Sequence, residues 1–175
     1  MILYHTSMME IPVPDIHRGR VNADFGQGFY LTPDRDFSYR WAWQDAMVNR
    51  YGLDLTGLEV HTLSRSTEWF EYIFRNRRGK DIIDADVVIG PIANDTIFET
   101  FGIISSGFLK PEDALQLLMI GPEYTQVVVK SQKAADQVKW IGAEKITGVK
   151  EYKASLKKEQ EEYQKQFAAA VEKMG

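Results

Sequence analysis

Apolar positions in this chain fall into short runs and one long stripe, and these place the elements. Ile2-Leu3-Tyr4-His5-Thr6 is apolar and β-branched, which predicts a first strand. A polar loop follows, with Pro12 and Pro14 blocking regular structure and Asp15, His17, Arg18, Arg20, Asn22 and Asp24 along it. Ordered loops of this kind are often functional. Phe29-Tyr30-Leu31 predicts a short buried strand. Phe37, Trp41 and Met47-Val48 recur near the helical period, so a helix is expected from Pro33 to about Arg50, with Gly52 ending it. Its opening reads as Thr32 at the N-cap, Pro33 in the first helical position and Asp34 on the positive end of the dipole.

Leu58 to Leu63 predicts a strand, and Ser66-Thr67-Glu68 begins a helix through Phe70, Ile73 and Phe74 that ends in Arg75-Asn76-Arg77-Arg78-Gly79. Ala85 to Ile92 is a strand of the buried type, with Asn94 or Asp95 capping a helix that starts near Thr96. Pro111-Glu112-Asp113 opens another helix through Leu115 and Leu118. Thr125 to Lys130 is the clearest β-run. Ser131 caps a short helical turn to about Val138, and Val138 to Ile141 predicts a further short strand. From about Lys150 the composition shifts to Lys, Glu, Gln and Ala, with Tyr152, Leu156, Tyr163, Phe167, Val171 and Met174 close to helical spacing. One amphipathic helix over residues 150–175 is expected after a domain of residues 1–149. Its stripe either packs on its own domain or meets a protein partner or a second copy. Strands and helices mix without strict alternation, so the expected class is α+β.

The length of 175 residues suits one domain with a sizeable core. A net charge of −4 argues against a broad electrostatic grip on nucleic acid, although Arg75, Arg77, Arg78 and Lys80 make a local basic patch. The absence of cysteine removes disulfides, thiol nucleophiles and cysteine metal sites, and suits a cytoplasmic protein. His5, His17 and His61 lie too far apart for a zinc motif, so no metal is expected. No signal peptide, transmembrane span or membrane partner is expected either.

The stretch Asp24-Phe25-Gly26-Gln27-Gly28-Phe29-Tyr30-Leu31-Thr32 packs two glycines and three aromatics before the helix opening. Glycine there serves a positive φ or a close approach by backbone or ligand. A tight bend, a strand and a capped helix make a good floor for a small-molecule pocket, or a turn that serves only the fold.

His5-Thr6-Ser7, Gly28-Phe29-Tyr30-Leu31 and Tyr124-Thr125-Gln126-Val127-Val128-Val129 occur in an order that resembles the ADP-ribosyltransferase superfamily. The branch resembled carries a His-Tyr-Glu signature and includes the poly(ADP-ribose) polymerases and diphtheria toxin. More closely, the chain is similar to a family of small bacterial proteins of unassigned function grouped with that fold. Its members share a tyrosine-histidine start, an aspartate-phenylalanine-glycine-x-glycine-phenylalanine-tyrosine stretch and an isoleucine-glycine-proline strand. Tyr4-His5, Asp24 to Tyr30 and Ile89-Gly90-Pro91 carry these features, so the resemblance covers roughly residues 1–145.

That resemblance implies a split β-sandwich of two small antiparallel sheets around a cleft for NAD, with flanking helices. It implies transfer of ADP-ribose from NAD, a consumed substrate, to an unknown macromolecular acceptor, protein or nucleic acid, in a toxin or effector setting. His5 and Thr6 match the positions that bind the adenosine-side ribose and the nicotinamide amide. Gly28 and Phe29 lead into Tyr30, which matches the tyrosine stacked on the nicotinamide ring. Trp41, eleven residues further on, matches a second aromatic that closes the other face in the polymerases. Arg18 and Arg20 are candidates for the pyrophosphate. Each residue also has a plain structural reading: a bonded histidine, core aromatics, solvated loop arginines.

The third signature position departs from the pattern, because Gln126 stands where the glutamate would be. Glutamine keeps a hydrogen bond to the ribose but brings no charge to the oxocarbenium-like transition state. One preorganised electrostatic contact is worth about 3–4 kcal/mol. Transfer is then slow, or another acid acts (Glu123 nearest, Asp24 and Asp95 after it), or the protein binds NAD without turning it over. The alternatives carried forward are a non-catalytic NAD-binding module and an interaction protein acting through its C-terminal helix.

Overall fold

A computed structural model of the chain describes residues 1–93 and 111–174. Seven strands are formed among the described residues: β1 (Ile2–Ser7), β2 (Phe29–Leu31), β3 (Met47–Leu53), β4 (Val60–Thr62), β5 (Val87–Pro91), β6 (Thr125–Val129) and β7 (Val138–Lys145). Five α-helices accompany them among the described residues: α1 (Arg35–Ser38), α2 (Thr67–Asn76), α3 (Pro111–Leu118), α4 (Gln132–Ala135) and α5 (Val149–Met174). The class is mixed α+β with two sheets.

One sheet has the order β1-β3-β7 and is antiparallel throughout. The other has the order β2-β6-β5-β4, antiparallel except for the parallel pair β4–β5. Leu3, Tyr51 and Leu53 of the first sheet bury against Phe29, Leu31, Val127 and Val129 of the second. This is the core of a two-layer sandwich. The opposite face of the second sheet, with Val88 and Val128, is covered by Trp69, Phe70, Tyr72 and Ile73 of α2 and by Phe25. Residues alternate in and out along β6, so every valine of the run Val127-Val128-Val129 is buried on one face or the other.

The helix expected from Pro33 to Arg50 is not what forms. Only α1 and a 3-10 turn, Tyr39–Trp41, precede a loop in which Asp45 takes a positive φ of 69°. Met47 to Leu53 is instead the central strand of the first sheet, and Gly52 lies inside it rather than capping a helix. Pairing on both edges of β3 outweighs the helical spacing of Met47-Val48. Thr32 is not the cap: its hydroxyl donates to Thr125 O at 2.9 Å, tying β2 to β6, and Asp34 accepts from the Phe37 N–H at 2.9 Å. Ser66 and Ser131 do cap α2 and α4. β4 is shorter than Leu58–Leu63, and β7 runs four residues past Ile141. The helix expected near Thr96 lies outside the described residues.

The amphipathic tail is one helix folded onto its own domain. Phe167, Ala170 and Val171 pack around the fully buried Leu117 of α3. Tyr152 meets Tyr39 edge-on at 5.6 Å between ring centroids. Glu159 pairs with Arg40 and accepts from the Tyr124 hydroxyl at 2.7 Å. Among the described residues, no helix is long and apolar enough to cross a membrane.

Candidate functional site

The two sheets touch through a single rung at the edge of β1. Tyr4 exchanges both backbone hydrogen bonds with Thr32, at 2.8 and 3.0 Å. In an antiparallel ladder the next such rung would join Thr6 to Tyr30. The His5 imidazole takes the Tyr30 carbonyl instead, with Nδ1 at 2.7 Å. The strands part there. Beyond the parting lies a cleft of about 580 Å³, lined by Tyr4, His5 and Thr6 on one side and Tyr30, Leu31 and Gln126 on the other. That volume is within the usual range for small-molecule sites.

The histidine is held in one state. A carbonyl can only accept, so Nδ1 carries the proton and Nε2 carries the lone pair. Burial pushes the His5 pKa below the ordinary histidine value, partly countered by the bond to Tyr30 O. The Phe29 ring, 4.7 Å away between centroids, backs the imidazole. Thr6 is fixed as well: its hydroxyl donates to Ser38 O, and the alternation of an antiparallel ladder turns its backbone N–H and C=O to the same strand edge as those of Tyr4.

Tyr30 is anchored at its far end. Its hydroxyl donates to Gly26 O at 2.6 Å and accepts from the Phe25 N–H at 3.0 Å. Burial, above all, pushes its pKa well above the ordinary tyrosine range, so it stays a neutral phenol. Gln126 is two residues along β6 from Val128, the register partner of Tyr30, and shares a face with it. Such diagonal neighbours stand about 7–8 Å apart. Gln126 is only 6% exposed, and its Nε2 reaches Pro91 O at 3.5 Å, the outer edge of hydrogen bonding. Its amide is therefore buried, weakly committed and at the cleft wall. Trp41, in the 3-10 turn, is 48% exposed at the cleft, with its ring edge-on to Phe37 at 4.9 Å.

The polar rim comes from the loop before β2 and the end of α2. Arg20, Asn22 and Asp24 line the cleft, and so does Arg77. Arg77 Nε donates to Asp24 Oδ1 at 2.8 Å, and Asn76 Nδ2 to Asp24 O at 3.1 Å. Lys130 adds bonds to Phe25 O (2.8 Å) and to the Tyr72 hydroxyl (2.9 Å), and pairs with Asp81. The end of the loop is thus tied to α2 and to Lys130 after β6.

Of the residues singled out in the sequence, His5, Thr6, Tyr30, Trp41, Arg20 and Gln126 meet at this cleft. Gly28 and Phe29 do not line it. A Cβ on Gly28 would meet Val129 O at 2.6 Å, so that glycine serves the contact with β6, and Phe29 belongs to the core. Gly26, at φ 76°, is the one that needs a left-handed backbone. Arg18 does not line the cleft either and pairs with Asp15 at 3.6 Å. Glu123 faces Arg65 at 3.7 Å, and Asp95 lies outside the described residues. Reading the sequence alone missed Tyr4, Arg77, Ile92 and Ala93 as lining residues. For Arg77 a signal existed: it continues the Trp69–Ile73 stripe at four-residue spacing, so it lies on the buried side of α2.

A family model described as protein of unknown function (DUF3990) matches residues 1–140 of the 175. The chain belongs to this family. No curated protein matches it. The DUF3990 match takes in every residue that lines the cleft and stops within β7, so α5 lies outside the shared part. Among the described residues no group of histidine and acidic side chains could hold a metal ion.

Proposed function

We propose that this DUF3990 protein is an NAD-dependent ADP-ribosyltransferase with the split sandwich of that superfamily. It moves ADP-ribose from NAD to a macromolecular acceptor and releases nicotinamide. The observation that carries this reading is the convergence of His5, Tyr30 and Gln126, from three distant strands, on one cleft where the two sheets part. Their order resembles that of the superfamily signature, with glutamine in place of its glutamate.

The chemistry available at each position supports the reading. The outward N–H and C=O of Thr6 form a donor–acceptor pair suited to a carboxamide. Tyr30, pinned by its hydroxyl, offers a fixed ring for a flat aromatic amide, and Trp41 offers a second. The Nε2 lone pair of His5 accepts a ribose hydroxyl. Arg20 and Arg77 suit a pyrophosphate. Gln126 presents an amide to the reacting ribose, with no charge.

The test is nicotinamide release by the purified chain, alongside calorimetry with NAD. Wild type is expected to bind and release. Tyr30→Ala is expected to lose roughly tenfold or more in NAD affinity, the equivalent of about 1.4 kcal/mol. Tyr30→Phe, which keeps the ring, is expected to bind. Neither binding nor release by wild type would end this reading. A second reading, a non-catalytic NAD-binding module, is favoured by Gln126 alone. Binding without release, with release gained in Gln126→Glu, would select it.

A further inference from the structure

Departure of nicotinamide leaves positive charge on the ribosyl C1′ and O4′, and Gln126 brings no negative charge to meet it. Three acids lie within reach in the sequence, and their placement differs. Glu123 has a side chain 55% exposed, turned to Arg65 and away from the cleft. Asp95 lies outside the described residues. Asp24 lines the cleft with a side chain only 17% exposed, and it is the sole carboxylate among the described lining residues.

We propose that Asp24 is the catalytic carboxylate of the transfer step, replacing the glutamate that Gln126 displaces. This rests on the ADP-ribosyltransferase reading above. Its position is fixed from two elements. Arg77 Nε holds Oδ1 at 2.8 Å and Asn76 holds the Asp24 carbonyl at 3.1 Å, both from the end of α2. The next residue in the loop, Phe25, donates to the Tyr30 hydroxyl. Asp24 and the proposed ring platform are therefore one unit. The Asp24 charge acts on the Tyr30 hydroxyl, adding to the larger effect of burial in keeping it neutral.

The step balances without a further reagent. The bond from C1′ to the nicotinamide nitrogen breaks, and its electron pair leaves on that nitrogen, neutralising the pyridinium. The Asp24 carboxylate stabilises the oxocarbenium-like centre. A lone pair of the acceptor forms the new bond to C1′, and the acceptor's proton passes to Asp24 and then to water.

Four chains are compared: wild type, Asp24→Asn, Gln126→Glu and the double variant. Nicotinamide release, NAD affinity by calorimetry and the melting temperature are measured for each. Asp24→Asn is expected to lose release by roughly 100-fold to 1,000-fold, the usual cost of one such electrostatic group. Its NAD affinity is expected to stay within a few-fold of wild type, and its melting temperature to fall because Arg77 loses the charge of a largely buried partner. Gln126→Glu in the Asp24→Asn background is expected to restore release at least tenfold, because it returns charge to the same cleft. A merely structural Asp24 would leave the gain from Gln126→Glu the same in both backgrounds, whereas the proposal requires a larger gain where Asp24 is absent. Release by Asp24→Asn at the wild-type level overturns the proposal and leaves the transferase reading standing, as does loss without rescue. Wild type that binds NAD without releasing nicotinamide overturns it as well. Wild type that neither binds nor cleaves NAD removes the transferase reading, and Asp24 with it. Should Asp24→Asn unfold, Asp24→Glu takes its place: a carboxylate set back by one methylene should cut release tenfold at unchanged affinity, and wild-type release would count against the proposal.

Discussion

His5 does two jobs with one ring. Its Nδ1–H replaces a rung of backbone ladder, and its Nε2 faces the cleft as an acceptor. Only the second needs the neutral imidazole, since a protonated ring would still donate from Nδ1, and burial, the larger effect, lowers its pKa in the fold. The sign of the pH dependence follows. An unfolded chain takes up a proton at His5 near the ordinary value of about 6.5, whereas the folded chain takes it up only at lower pH. Stability from His5 is therefore full above about pH 6.5 and falls as pH drops from there through the folded pKa. Urea midpoints measured at pH 7.5 and 5.5 should show a smaller acid loss in His5→Gln than in wild type; an equal loss would place the effect elsewhere. This residue was singled out in the sequence because it lies in the apolar first strand at a position that resembles the superfamily's histidine. Arg77 was passed over although its four-residue spacing from Ile73 marks the buried side of α2, because Arg75, Arg77, Arg78 and Lys80 read together as one basic patch. The packing of α2 against the Asp24 loop then sets Arg77 apart from its exposed neighbours Arg75 and Lys80.

Among the elements, β3 and α5 carry the clearest lessons. The segment around Met47 has apolar residues at a spacing that a helix or a strand can use, and a central place between β1 and β7 decides for the strand. The α5 stripe is unambiguous, but which surface it covers is not written in it. In the structure Glu159 reaches the turn that carries Trp41 and the residue that leads into β6. Arg40, paired with Glu159, lies 5.1 Å over both the Phe37 and Tyr124 rings, and those rings stack at 4.1 Å. Phe37 in turn meets Trp41. Glu159→Gln weakens one end of this chain of contacts. The expected cost is about 1 kcal/mol, which is roughly 2–4 °C in melting temperature for a chain of this size. A shift in tryptophan emission should accompany it. No change in either measurement would mean that α5 rests on the domain without bracing the cleft wall.

Taken whole, the molecule is a sandwich that opens on one edge. The core between the sheets is continuous from Leu3 to Val129, and the cleft begins where the ladder between β1 and β2 stops. A ligand in it would touch both sheets and the α2–loop unit. It would therefore stabilise the fold as a unit by mass action. At NAD concentrations a hundred times Kd the gain should be about 2.7 kcal/mol, or roughly 5–10 °C. Thermal scans with and without NAD, against a Tyr30→Ala control, measure it directly; an unchanged midpoint at saturating NAD would contradict binding to the folded cleft.

The sequence by itself determined the class, most of the strands, the helix start at Ser66, the cap at Ser131, and the amphipathic tail. It did so because those features rest on local rules: residue shape, side-chain alternation and capping hydroxyls. It also singled out His5, Tyr30 and Gln126 as candidates, by the resemblance of their order to a family signature. Tertiary structure alone decided that Met47 to Leu53 is a central strand, that Thr32 ties β2 to β6, and that Gly28 serves packing rather than the cleft. It alone placed Asp24 and Arg77 at the cleft and Glu123 outside it. These are questions of which distant backbone or side chain stands opposite, and no local pattern encodes the partner across a gap of fifty or a hundred residues.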